Sequence, residues 1–320
     1  MILSKTPFRI SFAGGGSDYF NKKSELKGRV IVTTINKYIY VALNKRYDNN
    51  LRISYSQTEN INNVKNIRHE IIRESLKYYK IKNGVEVVTI ADIPSSGSGL
   101  ASSSALTVGL SNVLRKFKNL KISKEIISKD ACNIEINKCK KPIGMQDQYS
   151  TAYGGLNRIE FYKNKVDVKK INLSNQKLET LNENLLLFYT GINRKAGDIL
   201  TKIKKSGNQF VHYDKLSILA ANFEKELILN NYENCGSILH ENWLIKRKLN
   251  QNVSSINLDQ MYEEARNSGA IGGKILGAGG GGYFLFLAKP KFKKKIIGNL
   301  SKLQHIDFSF TKKGSEIIEA

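Results

Sequence analysis

A run of small and hydroxyl residues, placed between a predicted strand and a predicted helix, has the composition of a phosphate-binding loop. It reads Pro94-Ser-Ser-Gly-Ser-Gly-Leu-Ala-Ser-Ser-Ser104. Glycines permit a tight turn whose N–H groups converge, and a helix start adds unpaired N–H groups and a positive dipole end. It lacks the Walker pattern G-x-x-x-x-G-K-[ST], and a plain flexible loop is the alternative. The residues predicted to bind a nucleotide are Pro94, Ser96, Gly97, Ser98, Gly99, Leu100, Ala101, Ser102, Ser103 and Ser104.

Two acidic residues downstream of this loop are candidates for metal binding and proton transfer. Glu135 lies in a predicted helix, and Asp147 follows it in the short polar segment Gly144-Met-Gln-Asp147-Gln148. Carboxylates bind hard cations such as Mg²⁺ and can act as general bases. Taken alone, the pattern is also that of an ordinary solvated helix end.

A glycine cluster near the N-terminus ends a predicted strand. The segment reads Pro7-Phe-Arg9-Ile-Ser-Phe-Ala-Gly-Gly-Gly-Ser-Asp18-Tyr19, and Arg9 and Asp18 are its charged residues. Glycines at a strand end let a ligand approach the backbone closely. A carboxylate there is suited to binding a pair of sugar hydroxyls. The alternative is an ordinary turn.

A second glycine cluster near the C-terminus, Gly277-Ala-Gly-Gly-Gly-Gly282, formally matches G-x-G-x-x-G. A dinucleotide fingerprint requires a helix after the glycines. Here the apolar segment 283–288 predicts a strand. The cluster is therefore interpreted as a backbone wall between two strands, close to a ligand.

Hydrophobic periodicity places these motifs on an alternation of strands and helices. The predicted strands are 8–13, 30–34, 38–43, 51–56, 84–90, 155–163, 165–173, 185–189, 272–276, 283–288 and 306–311, with a tight connection through Asn36-Lys37. The predicted helices are 66–80, 101–117, 123–139 with Ser123 as N-cap, most of 196–268, and 291–303. A change from strand-rich to helix-rich sequence near 175–185 predicts domains 1–180 and 181–320.

Composition limits the classes of protein. The 320 residues include 41% hydrophobic residues, which excludes wholesale disorder, and the longest apolar runs are too short to span a membrane. Lys and Arg number 51 against 28 Asp and Glu, so the net charge is +23. Such a charge can attract an anionic substrate or a nucleic acid. The alternative is that the excess consists of solvated lysines on the surface. No strong basic–aromatic interleaving supports the nucleic-acid alternative.

Cysteine and histidine usage predicts no disulfide framework and no metal cluster. The three cysteines lack a C-x-x-C pair, and the four histidines lie far apart in the chain. The first residues lack the apolar stretch of a signal peptide. A cytoplasmic protein is expected.

Taken together, the four motifs resemble those of the GHMP small-molecule kinases in order and spacing over essentially the whole chain. This resemblance implies an α+β fold, with an N-terminal ribosomal-protein-like βαβ domain and a C-terminal ferredoxin-like domain. It also implies an ATP-dependent kinase that uses Mg²⁺, acts on a sugar, and binds neither nucleic acid nor membrane.

The resemblance assigns roles residue by residue. Loop 94–104 is the phosphate loop, and Ser103 and Glu135 take the places of the magnesium-binding serine and glutamate. Asp147 takes the place of the catalytic aspartate, and Arg9 that of the arginine beside it. Asp18 falls on the sugar-binding aspartate.

The first motif departs from the galactokinase pattern, because Gly15-Gly16 replaces Glu-His. It resembles instead the heptose and fucose kinases, as does segment 188–196. The implied reaction is phosphorylation of the anomeric hydroxyl of D-glycero-D-manno-heptose 7-phosphate to the 1,7-bisphosphate, on the way to nucleotide-activated heptose. A fucose- or galactose-type kinase is the alternative. Arg194 and Lys195 are candidate cations for the substrate phosphate, or solvated charges after a turn. The predicted substrate residues are Gly15, Gly16, Ser17, Asp18, Tyr19, Arg194, Lys195, Gly279 and Gly280.

Overall fold

A computed structural model describes residues 1–19, 27–94, 97–192, 196–205 and 209–318. Within these ranges the strands are β1 (Ile2–Ala13), β2 (Gly28–Lys45), β3 (Leu51–Ser54), β4 (Thr58–Ile61), β5 (Val85–Ala91), β6 (Asn157–Phe161), β7 (Val166–Lys170), β8 (Leu185–Tyr189), β9 (Ala270–Ile275), β10 (Tyr283–Ala288), β11 (Gln304–His305), β12 (Phe310–Thr311) and β13 (Glu316–Ile318). The helices are α1 (Glu70–Tyr78), α2 (Ser102–Phe117), α3 (Lys124–Cys132), α4 (Gln146–Tyr153), α5 (Asn175–Glu183), α6 (Ala196–Lys205), α7 (Gln209–Ile228), α8 (Tyr232–Leu249), α9 (Ile256–Asn267) and α10 (Pro290–Asn299). The expected α+β class is confirmed.

The first sheet has nine strands among the described residues, in the order β13-β1-β2-β5-β3-β4, with β6 and β12 also paired to β2 and β7 paired to β6. The prediction of two strands joined through Asn36 is wrong, because β2 runs unbroken through that position. β1 pairs with both halves of β2, and the register of this pairing shifts between Pro7 and Arg9. The Asn36 N–H donates to Ser309 O at 2.8 Å, so the chain stays extended.

The second sheet has the order β11-β8-β10-β9, and β9 and β10 form the predicted antiparallel hairpin. All six residues of β10 are buried, which explains its uniformly apolar sequence. α8 packs against β9, while α7 packs against β1 and β2. The late strands β12 and β13 return to the first sheet. The boundary at residue 180 remains a prediction.

Several helix predictions are confirmed at their functional positions. α2 begins at Ser102, so the three serines of the predicted loop lie in its first turn, and the Ser123 side chain caps α3 by accepting from the Ile126 N–H. The predicted second helix continues past α3 as a π-helical turn, Asn133–Lys138. Its distal part carries Glu135. No helix in the described ranges is both long and apolar enough to cross a membrane.

Several elements differ from the prediction, among them α5 and β13, which were not predicted. The strand predicted at 306–311 is reduced to β12 at its end, and β11 lies just before the predicted range. β4 was not predicted, and neither was α4, which has eight residues and an N-cap residue, Met145, whose side chain makes no cap. Asp147 therefore lies in the first turn of its own helix, not in a loop after the preceding helix.

Candidate active site

A cleft of about 890 Å³ holds most of the predicted functional residues. One side, here called the serine side, is formed by residues 97–99, residues 101–104 and Lys141, and Tyr55 and His69 also line the cleft. The other, the aspartate side, is lined by Gly15, Gly16, Asp18, Tyr19 and Tyr213. Lys246 also lines the cleft, where its Nζ donates to the carbonyl of Gly277. Arg9 and Asp147 also line the cleft. They connect the two sides, as the hydrogen bonds below show.

The backbone of the serine side is shaped to present N–H groups. Gly99 has φ +77°, and a Cβ there would lie 2.3 Å from the Leu276 carbonyl oxygen, so only glycine fits the position. The cap position of α2 is held by Ala101, whose methyl group cannot accept a hydrogen bond. The N-terminus of this 16-residue helix is thus available to an anion.

Behind the serines lies Glu135, whose side chain has no solvent exposure. Its Oε1 accepts from Ser103 Oγ at 2.7 Å and Lys141 Nζ at 3.3 Å. Its Oε2 accepts from Ser104 Oγ and Gln148 Nε2, both at 2.6 Å. The buried charge is therefore fully surrounded by donors.

The oxygen atoms of Ser103 and Glu135 fit a magnesium ion. They are hard donors 2.7 Å apart, and Ser103 lines the cleft directly in front of Glu135. Mg²⁺ takes one or two protein oxygens and completes its shell with phosphate oxygens and water. The pair therefore has the donor chemistry that such an ion requires beside a bound polyphosphate.

The Arg9 guanidinium joins Asp147 to the serine side. Its Nε and Nη2 donate to Asp147 Oδ1 at 2.9 and 2.7 Å, and its Nη1 donates to Gly99 O at 2.6 Å. Arg9 is 2% exposed and Asp147 27% exposed. Both hydrogen bonds fall on Oδ1, so Oδ2 of Asp147 has no hydrogen-bond partner among the described residues. Oδ2 is the atom placed to accept a proton from a ligand in the cleft.

On the aspartate side, the buried Asp18 carboxylate is held by three N–H donors. The Gly16 N–H (3.1 Å), the Gln146 N–H (3.2 Å) and the Gln146 side chain (3.3 Å) donate to it. Burial raises the pKa of Asp18, and the charge of Asp147 raises it further. A Cβ on Gly144 would lie 2.0 Å from Asp18 Oδ2, so this glycine makes room for the carboxylate.

Two tyrosines from different halves of the chain form an aromatic surface beside Asp18. The rings of Tyr19 and Tyr213 stack with centroids 6.1 Å apart, and Tyr19 Oη donates to the Pro142 carbonyl. Burial raises the pKa of both phenols, which therefore stay neutral. The surface presents apolar ring area together with hydrogen-bonding groups.

The remaining predicted residues lie away from the cleft or outside the described ranges. Ser17 Oγ donates to Arg29 O and accepts from Arg29 N, so it holds the loop to β2. Gly280 N donates to Val253 O at 2.7 Å, and Gly279 packs against the same valine. Gly277 and Ala278 line the cleft in their place.

Of the predicted phosphate-loop residues, Pro94 is exposed and Leu100 is buried. Ser96, Arg194 and Lys195 fall outside the described residues.

Besides Lys141, which lines the cleft and donates to Glu135, sequence reasoning missed two lysines at or beside the cleft. Lys246 lines it and is 5% exposed, and Lys274 is 1% exposed behind it. The feature of the sequence that could have revealed them is their position among apolar residues. Lys246 shares the buried stripe of α8 with Leu239, Trp243 and Leu249, and Lys274 stands within the buried end of β9. A charge at such a position is costly unless something binds it.

Comparisons with known proteins agree with this geometry. The family model for the GHMP kinases N terminal domain matches residues 62–155, and the model for the GHMP kinases C terminal domain matches 221–302. The chain is 33% identical to D-glycero-alpha-D-manno-heptose 7-phosphate kinase of Campylobacter jejuni, over 98% of this chain and 97% of that protein. It is 26% identical to galactokinase of Pyrococcus furiosus, over 93% and 92% respectively.

A solved structure shows the same fold. The crystal structure of a D-glycero-D-manno-heptose 1-phosphate kinase from Bacteroides thetaiotaomicron aligns with a TM-score of 0.82. The alignment covers 100% of this chain and 99% of that one, at 22% identity. At that identity the likeness concerns the arrangement of the two sheets and their helices.

Proposed function

The chain belongs to the GHMP kinase family, and from this premise we propose that it phosphorylates the anomeric C1 hydroxyl of D-glycero-D-manno-heptose 7-phosphate, with ATP as donor. The observation that carries the proposal is the double attachment of Arg9, to Asp147 on one hand and to Gly99 O on the other. One buried side chain thus fixes a carboxylate relative to a phosphate loop. The relative from C. jejuni, similar over nearly the whole chain, supports the choice of acceptor.

The serine side binds the nucleotide phosphates. N–H groups of the loop and of the first turn of α2 donate to the phosphate oxygens, where the helix dipole adds attraction. Lys141, held against Glu135 Oε1, adds positive charge beside them. Phosphoryl transfer depends mainly on such positioning and charge neutralisation.

Magnesium would be held by Ser103 and Glu135 on the same side. When bound, the ion neutralises charge on the phosphates and orients the transferred group. The protein fixes Glu135 in advance, because Ser104 and Gln148 hold its second oxygen.

Asp147 acts on the acceptor. Its Oδ2 takes the proton of the C1 hydroxyl as that oxygen attacks the γ-phosphorus, and the bond to the ADP oxygen breaks. Arg9 keeps Asp147 in place and lies close to the negative charge of the phosphoryl group that is transferred. Asp18 binds sugar hydroxyls, with the Tyr19–Tyr213 surface against the ring.

A coupled assay of ADP release over a panel of acceptors tests this proposal. The panel contains heptose 7-phosphate, free heptose, fucose, galactose and mevalonate. The expected result is a kcat/KM for heptose 7-phosphate at least tenfold above the others. Preference for fucose or galactose would replace the proposal with the alternative sugar kinase. Binding of duplex DNA or RNA with no acceptor used would instead favour the nucleic-acid alternative suggested by the +23 charge.

A further inference from the structure

Gln146 lines the cleft directly before the proposed base, and the mechanism above assigns it no step. It is the first residue of α4, the eight-residue helix that also holds Asp147 and Gln148. Asp147 accepts from Arg9. Gln148 donates to Glu135. Three consecutive side chains thus contact three parts of the site, and that of Gln146 faces the aspartate side.

Gln146 forms two hydrogen bonds to Asp18. Its backbone N–H donates to Oδ2 at 3.2 Å, and its side-chain Nε2 donates to Oδ1 at 3.3 Å, so the residue spans both oxygens of the carboxylate. The Gly16 N–H also donates to Oδ1, at 3.1 Å. All three donors are neutral amides. Of these bonds, the one from the Gln146 side chain is the bond that a substitution can remove.

The hydroxyl of Ser11 fixes the direction in which the Gln146 amide points. Ser11 lies on β1 and is 4% exposed, and its Oγ donates to Gln146 Oε1 at 3.0 Å. The amide oxygen therefore faces β1, and the amide nitrogen faces Asp18. An ionised carboxylate only accepts hydrogen bonds, so a flipped amide would lose the bond to Asp18 and set two oxygens against each other.

Asp18 depends on these donors because its charge is costly to bury. It is 3% exposed, and burial together with the charge of Asp147 raises its pKa. Hydrogen bonds to the ionised form oppose that shift, and the backbone bond from Gln146 is one of them. Without the side-chain amide, Oδ1 would keep the Gly16 N–H as its donor, and the carboxylate would turn more freely.

We propose that Gln146, oriented by Ser11, is a positioning residue that holds the Asp18 carboxylate in the orientation that binds the sugar hydroxyls. The inference rests on the proposed function, in which Asp18 binds those hydroxyls. A carboxylate held by N–H donors on both oxygens has a fixed plane, so its remaining lone pairs point in fixed directions. Gln146 thereby favours acceptors whose hydroxyls match that plane.

The test compares Gln146→Met with Gln176→Met in steady-state kinetics. Methionine keeps an unbranched stem and removes the amide, and Gln176 is an exposed glutamine in the first turn of α5. Gln146→Met is also made together with Asp18→Asn, which completes a double-mutant cycle. The acceptor is whichever sugar of the panel above the wild-type protein uses best.

Loss of one hydrogen bond to a charged group predicts a rise of about tenfold in the KM for the acceptor in Gln146→Met. The KM for ATP should change less than about twofold and kcat less than about threefold. Beside Asp18→Asn, the same change should lower kcat/KM by less than about twofold, because no charge is left to hold. Gln176→Met should match wild type.

Ser11→Ala is the second variant, and it keeps the inference testable if Gln146→Met fails to fold. It leaves the amide in place and removes the donor that orients it. The KM for the acceptor should rise by about threefold, with the KM for ATP unchanged. An unchanged KM for the acceptor in folded Ser11→Ala would contradict the part assigned to this hydroxyl.

Three further results would overturn the inference. An unchanged KM for the acceptor in folded Gln146→Met would mean that Asp18 needs no help from the amide. A full tenfold loss beside Asp18→Asn would mean that Gln146 acts independently of Asp18. Equal rises in both KM values would indicate a general structural role. All three leave the proposed function standing, which fails instead if wild type prefers another acceptor to heptose 7-phosphate.

Discussion

The two sides of the cleft differ in the groups that surround their buried charges. On the serine side, one buried carboxylate, Glu135, is surrounded by two hydroxyls, an amide and an ammonium. On the aspartate side, Asp18 has the charge of Asp147 as a neighbour, and Lys274 has those of Lys246 and Arg9. On the first side the buried carboxylate has a donor on every side, and the second holds like charges near one another.

Under the proposed function, the difference follows from what each side would bind. A nucleotide–metal complex needs a rigid frame, and a completed hydrogen-bond network supplies rigidity. The acceptor carries hydroxyls and a phosphate. These would bond to buried charged groups that destabilise the free protein. The account therefore expects catalytic losses and ligand-dependent stability to concentrate on the aspartate side.

The largest effect is expected at Asp147, where the two sides meet. Asp147→Asn removes the proton acceptor but keeps a group that Arg9 can bond. We expect kcat to fall by roughly 10²–10⁴, with the KM for ATP nearly unchanged, in steady-state kinetics. Near wild-type turnover in the folded variant would remove Asp147 from the role of base.

The next largest effect is expected from Gly144→Ala. The added Cβ would stand where Asp18 Oδ2 now lies, so the carboxylate must move. A displaced sugar ligand should raise the KM for the acceptor by about 10–100-fold, with the KM for ATP changed less than twofold. The control is Gly298→Ala, where a Cβ would meet no atom within 4 Å. Equal increases in both KM values would show that the two sides are not separable.

A smaller effect is expected on the serine side, in the magnesium concentration needed for activity. Ser103→Ala and Glu135→Gln should each raise the magnesium concentration for half-maximal activity by about tenfold. The double variant should be no worse than roughly the more affected single one, since both residues serve one ion. Ser237→Ala, an exposed hydroxyl on α8, is the control. Unchanged magnesium titrations would place the ion elsewhere.

The smallest effect is on stability, and it concerns Asp18. Its folded-state pKa is raised, so the folded protein binds this proton more tightly than the unfolded chain does. Stability is therefore lost as pH rises above the ordinary aspartate value of 3.8 and through the folded pKa. Asp18→Asn should raise the Tm of the free protein by about 1–4 °C at pH 8, and by less at pH 4.5. A lower Tm for the variant at pH 8 would contradict the contrast between the two sides.

The phosphate-loop part of the serine side was predictable from sequence because its residues are local. Gly97 and Gly99 precede a helix whose first turn holds three serines, and that order favours an anion site over a plain loop. The ion pair of Arg9 with Asp147 was predicted through the family resemblance, and the structure brings the two together. The role of Gly144 was not visible, since it depends on Asp18, a residue far away in sequence.

Much of the aspartate side could not be predicted, because it is assembled by contacts between the two halves. Lys246 and Lys274 read as ordinary members of a lysine-rich chain until burial separates them from the solvated majority. The unbroken β2 was missed for a similar reason. Asn36-Lys37 is typical of a turn, but β1 pairs with β2 on both sides of it and the Asn36 N–H donates to Ser309 O.

The most direct test of the central claim is the position of the phosphate in the product. ³¹P NMR should follow heptose 7-phosphate and MgATP with the wild-type protein. The account predicts a new anomeric phosphate signal that grows in step with ADP while the 7-phosphate signal persists, and that is reduced at least a hundredfold in rate in Asp147→Asn. ADP formation with no phosphate at C1, or with phosphate at another hydroxyl, would contradict it.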